Sequence, residues 1–517
     1  MKYIKIFIGI ALSGSALVSC TKLEEKFQGD LTPGQVAGGS SSVDALLKGA
    51  YASMQNSFQE QGNVFSLQEL SGDAAIVPTR GGDWDDNGAW RQLHSHQWDA
   101  DNTHVRDCFN ALSGTVFLAT DLLQYTPSAQ QGAEARFLRA FSMFEQLDLY
   151  DQVPYREPGE STLEPAKVRK GSEALDFIIS EAEAIMNDLP DGPAGTANKW
   201  AAKVLLMKCY LNKGVFANRA APTFDAADMQ KVIGYGDEII NSGKFAFSTS
   251  YYDNFAPDNT DATKAKENIF TKVNVGGEAS GGSGNSVRSR WYMTTHYNMN
   301  PGGWNGFSTL SDFYDKFEAS DKRRGEAYAL TGIPNPGKRV NVGFLAGQQY
   351  NLTTDAALTD RTGAPLSFTA AVKSIETENN LEVTGIRVNK YGVDYTNDNS
   401  GNVDNDYVYY RYADVLLMKA EAALRGGGST STALDLVNQV RSNRGASTLS
   451  ALTLDVLLDE RGRELYWEEY RRQDLIRFGK FLQVWQEKPS DDPKNLLFPI
   501  PNQQLSVNPN LTKNPGY

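Results

Sequence analysis

The sequence predicts an all-α fold in which an array of helices forms the scaffold and a loop-rich excursion with minor β-structure carries a ligand site. Three observations predict it. Apolar residues recur at helical spacing, the same helical pattern is repeated along the chain, and residues 243–406 lose that spacing. Apolar residues three and four positions apart mark amphipathic helices, and a repeated pattern indicates helices that stack on one another.

The clearest repeat lies in residues 409–424, which the apolar spacing predicts to be a single helix. Within it, residues 413–419 (ADVLLMK) match residues 202–208 (AKVLLMK) at five apolar positions and the lysine. Residues 137–147 form a third, more distant copy. Small and large apolar residues on repeated helices are typical of tetratricopeptide-like arrays. Three unrelated helices of one globular bundle remain the alternative.

Composition excludes some classes of partner. The chain has 517 residues and a formal net charge of −13. Nucleic-acid binding calls for a basic stripe, so this balance argues against it. It also disfavours polyanionic glycans, unless a local basic patch overrides the average.

The first residues have the features of a targeting signal. In residues 1–20, two lysines precede a short apolar segment that ends in Leu17-Val18-Ser19-Cys20. This arrangement resembles a bacterial lipoprotein signal, in which the cysteine is lipidated and becomes the mature N-terminus. Residues 22–25 (KLEE) resemble the acidic tag that sends Bacteroidetes lipoproteins to the outer face of the outer membrane. We therefore expect a cell-surface protein anchored to the outer membrane by lipid at Cys20.

The rest of the chain divides by pattern. Residues 21–42 are expected to form a flexible tether, residues 43–242 an N-terminal helical part, residues 243–406 the loop-rich region, and residues 407–517 a C-terminal helical part. Cys108 and Cys209 lie in apolar helical contexts, which predicts two buried free thiols.

Five motifs carry a family resemblance over the whole length. They are residues 78–84 (PTRGGDW), 135–140 (ARFLRA), 410–418 (YRYADVLLM), 460–465 (ERGREL) and 498–501 (FPIP). With these motifs and the lipoprotein cysteine, the chain resembles the SusD/RagB family of outer-membrane lipoproteins, which bind nutrients for a SusC-like TonB-dependent transporter. The resemblance implies a fold with four tetratricopeptide-like units, a ligand site in the loop-rich region, and no catalysis.

Aromatic residues in glycine-rich segments are the candidates for glycan contact. Flat rings cover the C–H faces of sugars, while amides, carboxylates and arginine bind the hydroxyls. Trp84 follows two glycines and stands beside Arg80 and Asp83. Family members place an aromatic from this loop and others from the middle region in the binding platform, which implies a contact role for Trp84, Trp291 and Trp304. The weaker candidates are Trp90, Tyr292, Tyr297, Asn298 and Asn305.

No metal or cofactor site is expected. His94 and His96 stand at alternate positions, which is a weak metal signal. Asp398, Asp404 and Asp406 lie in an oxygen-rich run that lacks the spacing and closing glutamate of a calcium loop.

Enzymatic activity is not expected either. A glycosidase needs two carboxylates facing one sugar, but the chain has 63 acidic residues, so pairs are uninformative. Residues 454–478 are predicted to form one long charged helix, on which i,i+4 pairing explains Glu464, Glu468 and Glu469.

The sequence therefore predicts a non-catalytic surface protein that binds a neutral polysaccharide or oligosaccharide, such as a β-glucan, and delivers it to a SusC-like transporter. A peptide- or protein-binding lipoprotein built on tetratricopeptide-like helices is the alternative, and a glycoside hydrolase is the third class.

Overall fold

A computed structural model describes residues 40–278, 286–377, 381–398 and 401–517, with side chains from Ser42 onward. Cys20 and most of the expected tether lie outside these residues. Helix α1 already begins at Ser40, within the segment expected to be tether. No helix of the described ranges is long and apolar enough to span a membrane.

The first half of the scaffold is a series of helices, of which the later ones pack each on the next. Its elements are α1 (Ser40–Met54), α2 (Val64–Glu69), α3 (Ala89–Ser95), α4 (Thr103–Asp121), α5 (Ala129–Tyr150), α6 (Gly171–Ala184), α7 (Lys199–Ala217) and α8 (Ala226–Asn241). Helix α1 packs on α4, and α4 to α8 follow one another as neighbours. The order of contacts is that of a helical array, and the all-α, tetratricopeptide-like fold class predicted from the sequence is confirmed.

Specific side chains begin these helices. Asn102 accepts hydrogen bonds from the first amides of α4, Ser128 forms a reciprocal cap with Gln131 at α5, and Asn198 caps α7. Each cap satisfies amide groups that the helix itself leaves without an acceptor. Cys108 and Cys209 are buried free thiols on α4 and α7, as the sequence predicts.

The middle of the chain is built of short elements. They are β1 (Thr79–Arg80), the hairpin β2 (Gln152–Tyr155) and β3 (Lys167–Lys170), β4 (Asn268–Lys272), α9 (Ser289–Tyr292), α10 (Ser311–Tyr314), β5 (Gly325–Glu326), β6 (Val342–Leu345), β7 (Gly347–Gln348), β8 (Ser367–Phe368), β9 (Ile375–Glu376) and β10 (Arg387–Asn389). Strands β5, β6 and β10 form one antiparallel sheet in the order β10-β6-β5, and β1 pairs in parallel with β9.

The C-terminal half departs from the prediction in two places. It contains β11 (Tyr407–Arg411), α11 (Tyr412–Ala422), α12 (Thr430–Asn443), α13 (Leu454–Leu465), α14 (Arg471–Arg477) and α15 (Asn502–Val507). The single helix predicted over residues 409–424 begins only at Tyr412, because the preceding residues pair with β4 as an antiparallel strand. The long helix predicted over residues 454–478 is broken, since Trp467 and Glu469 adopt positive φ of 59° and 70°.

Charged side chains near the end of α13 lie in the core. Glu464 is fully buried and accepts hydrogen bonds from Arg411 at 2.6 Å, Arg444 at 2.8 Å and Arg323 at 3.0 Å. Burial alone would raise the pKa of Glu464, but the three guanidinium groups hold it well below its usual value. The explanation of these glutamates by exposed i,i+4 pairs is therefore wrong. They bind arginines that are distant in sequence.

Removing one member of this cluster should strongly destabilise the fold. We expect Arg411→Ala to lower the free energy of unfolding by about 3–5 kcal/mol, because Glu464 and Glu468 would each lose a buried partner. Denaturant unfolding measures the difference. The control is Lys480→Ala, which removes an exposed ion pair with Asp455 and should cost less than about 1 kcal/mol. If both variants lose a similarly small amount of unfolding free energy, the cluster does not stabilise the fold as described.

The core also holds carboxyl groups that burial keeps protonated. Burial raises the pKa of Glu469 to about 8, despite Arg290 at 3.5 Å, and the pKa values of Glu69 and Glu145 to about 7. The unfolded chain releases these protons from near pH 4.5, so the folded state binds more protons at neutral pH. Stability should therefore fall as the pH rises.

We expect the thermal midpoint to decrease as the pH rises from 7 to 8. Burial lowers the pKa of four histidines in the folded state, His94, His96, His104 and His296, and above pH 7 these residues are mostly neutral in the unfolded chain as well. Each carboxyl group that titrates contributes up to about 1.4 kcal/mol per pH unit. Glu469→Gln keeps an oxygen that can accept the Tyr407 hydroxyl bond and should flatten the slope. Calorimetry over this pH range measures the thermal midpoint of both proteins. If the midpoint of Glu469→Gln depends on pH as steeply as that of the wild type, Glu469 is not a source of the pH dependence.

Candidate functional site

Three loops meet at one end of the excursion, and backbone pairing holds them together. Ile76 pairs with Ser308, and Thr309 pairs with Ile386. The β1–β9 pairing joins the first of these segments to the third. The loop after β1, the loop from residue 292 to residue 306, and the segment before β10 are therefore fixed relative to one another.

Arg80 is the internal brace of this junction. Its side chain is buried, and its guanidinium donates to the carbonyl oxygens of Asn305 at 2.9 Å, Gly306 at 2.7 Å and Thr384 at 2.6 Å. Burial lowers the pKa of Arg80 to about 10, so the group remains charged at neutral pH. Arg387 donates to the Asn305 side chain at 2.8 Å from the other direction. Arg80 and Asn305, both candidates for ligand contact, thus hold the loops from beneath.

The Trp84 side chain packs against the backbone that Arg80 holds. It is half-buried at a φ of 62°, and its indole Nε1 donates to the Trp304 carbonyl oxygen at 2.8 Å. The ring meets Phe307 edge to face, with centroids 5.5 Å apart. A Cβ on Gly306 would come within 2.3 Å of the Trp84 ring, so a glycine at that position lets the indole lie on the backbone.

Two further half-buried rings lie beside it. Trp304 is 6.4 Å from Trp84 and 5.6 Å from Tyr292 between ring centroids. The Tyr292 hydroxyl donates to the Asp398 carbonyl oxygen at 2.9 Å, which fixes the ring. We call Trp84, Tyr292 and Trp304 the aromatic platform. All three were predicted from the sequence, and all three keep part of their surface open to solvent.

Polar groups border the platform. Asp83 is exposed and accepts a hydrogen bond from the Tyr297 hydroxyl at 2.8 Å, and Arg361 lies 4.1 Å above the Tyr297 ring. Asn298 is also exposed and donates to the Thr359 carbonyl oxygen at 2.8 Å. Burial, then the bond to Asp83, raises the pKa of Tyr297 to about 12, so its hydroxyl stays protonated. We call Asp83, Tyr297, Asn298, Arg361 and Glu382 the polar rim.

Sequence reasoning missed two members of the rim. Arg361 binds Glu382, which also accepts from His296 at 2.8 Å. Partial burial pushes the pKa of Glu382 upward, but hydrogen bonds from Arg361 and His296 hold it below the ordinary value, so it is a carboxylate. Both residues are far from the aromatic motifs in sequence, and no local pattern distinguishes them from other surface charges.

Two tryptophans predicted as ligand contacts are buried instead. Trp291 is 0% exposed and lies in the main hydrophobic core, so neither face of its indole is open to a ligand. Trp90 is 5% exposed, stacks on His104 with centroids 3.8 Å apart, and donates to Asp86 at 2.6 Å. Trp90 lies on helix α3, which turns this side chain inward.

The histidines and the oxygen-rich run bind other parts of the chain. His94 contacts the carbonyl oxygens of Ala75 and Gln486, and His96 contacts Asp491 at 2.7 Å. Asp404 accepts from the Gly276 amide at 2.7 Å. Within the described ranges no group of three or more histidine, cysteine or acidic residues is placed to hold a metal ion.

The comparisons with known proteins agree with this architecture. Residues 246–495 match the SusD family. The starch-binding protein SusD of Bacteroides thetaiotaomicron is 26% identical over 492 residues, which covers 88% of this chain and 85% of that protein.

Solved structures share the fold. A SusD superfamily protein from Parabacteroides distasonis gives a TM-score of 0.71 at 20% identity and covers 94% of this chain and 100% of its own. Surface glycan-binding protein A from Bacteroides thetaiotaomicron, solved in complex with laminarihexaose, gives 0.68 at 17% identity and covers 92% and 99%. In its motifs, its matching region and its relatives, this chain is similar to the SusD/RagB family.

Proposed function

We propose that this protein binds a neutral glycan on the aromatic platform without catalysis. The observation that carries the proposal is three half-buried rings held side by side on a braced backbone, with hydrogen-bonding groups along one edge. Sugar rings present apolar C–H faces to aromatic rings and hydroxyls to polar neighbours. The complex of a structural neighbour with laminarihexaose supports a neutral glucan as the first ligand to test.

The charges at the site favour binding over hydrolysis. A general acid of a glycosidase needs a carboxyl group with a raised pKa beside the sugar. In the rim, Glu382 has a lowered pKa and is bound by Arg361. The acids whose pKa rises to about 7 or 8, Glu69, Glu145 and Glu469, are buried in the core instead.

Location and partner follow from the family and from the N-terminal sequence. We infer lipidation at Cys20, attachment to the outer face of the outer membrane, and delivery of the glycan to a SusC-like TonB-dependent transporter. These inferences rest on the lipoprotein signal and on the similarity to the family.

Isothermal titration of the full-length protein against a panel of glycans tests the proposal. The panel contains laminarihexaose, an α-glucan, a mannan, a fructan and one anionic glycan. Heat with a neutral member and none with the anionic member is expected. A folded protein that binds nothing in the panel would favour a peptide or protein ligand.

Trp304→Ala should weaken the binding of that neutral glycan by roughly twofold to tenfold, because an aromatic contact contributes about 0.5–1.5 kcal/mol beyond the area that it buries. The ring is half-buried at the surface, so we expect little change in the thermal midpoint.

Trp291→Ala is the matched comparison, since it changes the same residue type in the core. We expect it to lower the free energy of unfolding by about 3–5 kcal/mol. Where the variant stays folded, its affinity should remain close to that of the wild type. The reverse result, with Trp291 needed for binding and Trp304 needed for stability, would overturn the assignment of the platform.

A further inference from the structure

A pocket lies against the loop of residues 292–306, which also carries Tyr292 and Trp304 of the platform. It has a volume of about 320 Å³ and is walled by parts of residues 295–300, 333–358 and 389–395. This volume falls at the lower end of the range of small-molecule sites, roughly 300–1,000 Å³. None of the residues singled out for the platform lines it.

The lining is rich in amides and contains no carboxylate. Seven asparagine and glutamine side chains contribute to it, and the only charged residues are Lys338 and Arg339. Arg339 is paired with Asp355 at 2.8 Å and lies 3.6 Å above the Tyr350 ring. Amide side chains both donate and accept hydrogen bonds, which suits hydroxyl groups that do the same. The pocket thus has the chemistry of a site for an uncharged, hydroxyl-rich ligand.

Several of these polar groups have bonding capacity that the protein does not use. Asn389 is 3% exposed, and its Oδ1 accepts from the Thr294 hydroxyl at 3.0 Å, while its Nδ2 donates to no group of the described chain. Gln349 is 7% exposed and donates to the Gly347 carbonyl oxygen at 2.9 Å, which leaves its Oε1 without a donor among the described residues. Neither atom is sealed from solvent, so a ligand hydroxyl can bind it in place of water.

The hydroxyl of Tyr395 is a third group of this kind. Tyr395 lines the pocket, and its hydroxyl makes no hydrogen bond within the part of the chain that is described. Burial raises the pKa of Tyr395, so the hydroxyl stays protonated and can donate. An amide donor, an amide acceptor and a phenol therefore share one small cavity.

The pocket and the polar rim share one residue. Tyr297 belongs to the polar rim, and its neighbour Asn298 both belongs to the rim and lines the pocket. Their Cα atoms are separated by about 3.8 Å, as for any consecutive residues. The Tyr292 hydroxyl also binds the Asp398 carbonyl oxygen, three positions after Tyr395, which lines the pocket. The pocket therefore lies next to the rim.

We propose that this pocket is a second sugar subsite, which takes one neutral residue, a chain end or a branch, from the glycan held on the aromatic platform. The assignment rests on the proposed function and extends it. The platform supplies stacking that many glycans share, whereas the pocket recognises the hydroxyls of one sugar residue.

Two conservative variants test the pocket. Tyr395→Phe removes only the hydroxyl, and Asn389→Asp keeps an oxygen for Thr294 while replacing the unused donor. A hydrogen bond contributes about 0.5–1.5 kcal/mol, so each change should weaken laminarihexaose binding about threefold to tenfold in titrations of the full-length protein. Tyr412→Phe is the control. This half-buried tyrosine of α11 also has no hydroxyl partner in the described chain, and its loss should not change the affinity.

The outcomes separate the two proposals. Unchanged affinity in both Tyr395→Phe and Asn389→Asp, with loss in Trp304→Ala, would reject the pocket and leave the platform standing. Absence of binding to every panel member by the wild type would overturn the proposed function, and the pocket with it.

Two further results concern the ligand's identity. If the wild type binds another neutral glycan of the panel and not laminarihexaose, the affinities of the same variants are measured with that glycan. Tighter binding of the anionic glycan, lost in Lys338→Ala, would overturn the assignment to a neutral sugar. If Asn389→Asp lowers the thermal midpoint, the pocket is tested by Tyr395→Phe alone, because this change removes no hydrogen bond of the described chain.

Discussion

The structure depends on a buried cluster of ion pairs centred on Glu464. Arg323 reaches it from the loop-rich excursion, Arg411 from strand β11 and Arg444 from the end of α12, and all four side chains are almost fully buried. Taking such charges out of water is costly, and only complete pairing offsets the cost. The cluster therefore forms only when excursion and scaffold meet in one arrangement, and it ties the region of the site to the helices.

The helices around residues 137–147 and 202–208 could be predicted from the sequence, because burial of one face of a helix imposes a helical period on its apolar residues. The two helix predictions that failed, over residues 409–424 and 454–478, have a common cause. The period of the apolar residues does not show what packs against the other face of the segment. Residues 407–411 have helix-compatible spacing, yet strand β4 provides them with a hydrogen-bonding partner far away in sequence. The i,i+4 spacing around Glu464 fits an exposed helix as well as a buried one. The helix ends at Leu465, because Tyr466 has a non-helical ψ of 138° and Trp467 and Glu469 adopt positive φ.

The candidate site could also be predicted only in part. Glycine-rich surroundings permit a tryptophan to be exposed but do not require it, so Trp84 and Trp304 remained at the surface while Trp291 became core. Arg361 and Glu382 are brought to the rim by contacts between distant loops, which a single sequence does not reveal. The roles of Arg80 and Asn305 were also hidden, because a polar residue in a loop binds backbone as readily as a ligand.

These bracing residues affect how the site can bind. Arg80 and Arg387 fix the backbone of residues 305 and 306, and the Trp84 indole is held by the Trp304 carbonyl oxygen. A platform ordered before the ligand arrives loses little conformational entropy on binding, so a few stacked rings and hydrogen bonds are sufficient for measurable affinity. The same small number of contacts keeps the affinity modest. The proposed release of the glycan to a transporter would be helped by that, because a ligand held by few contacts also dissociates readily.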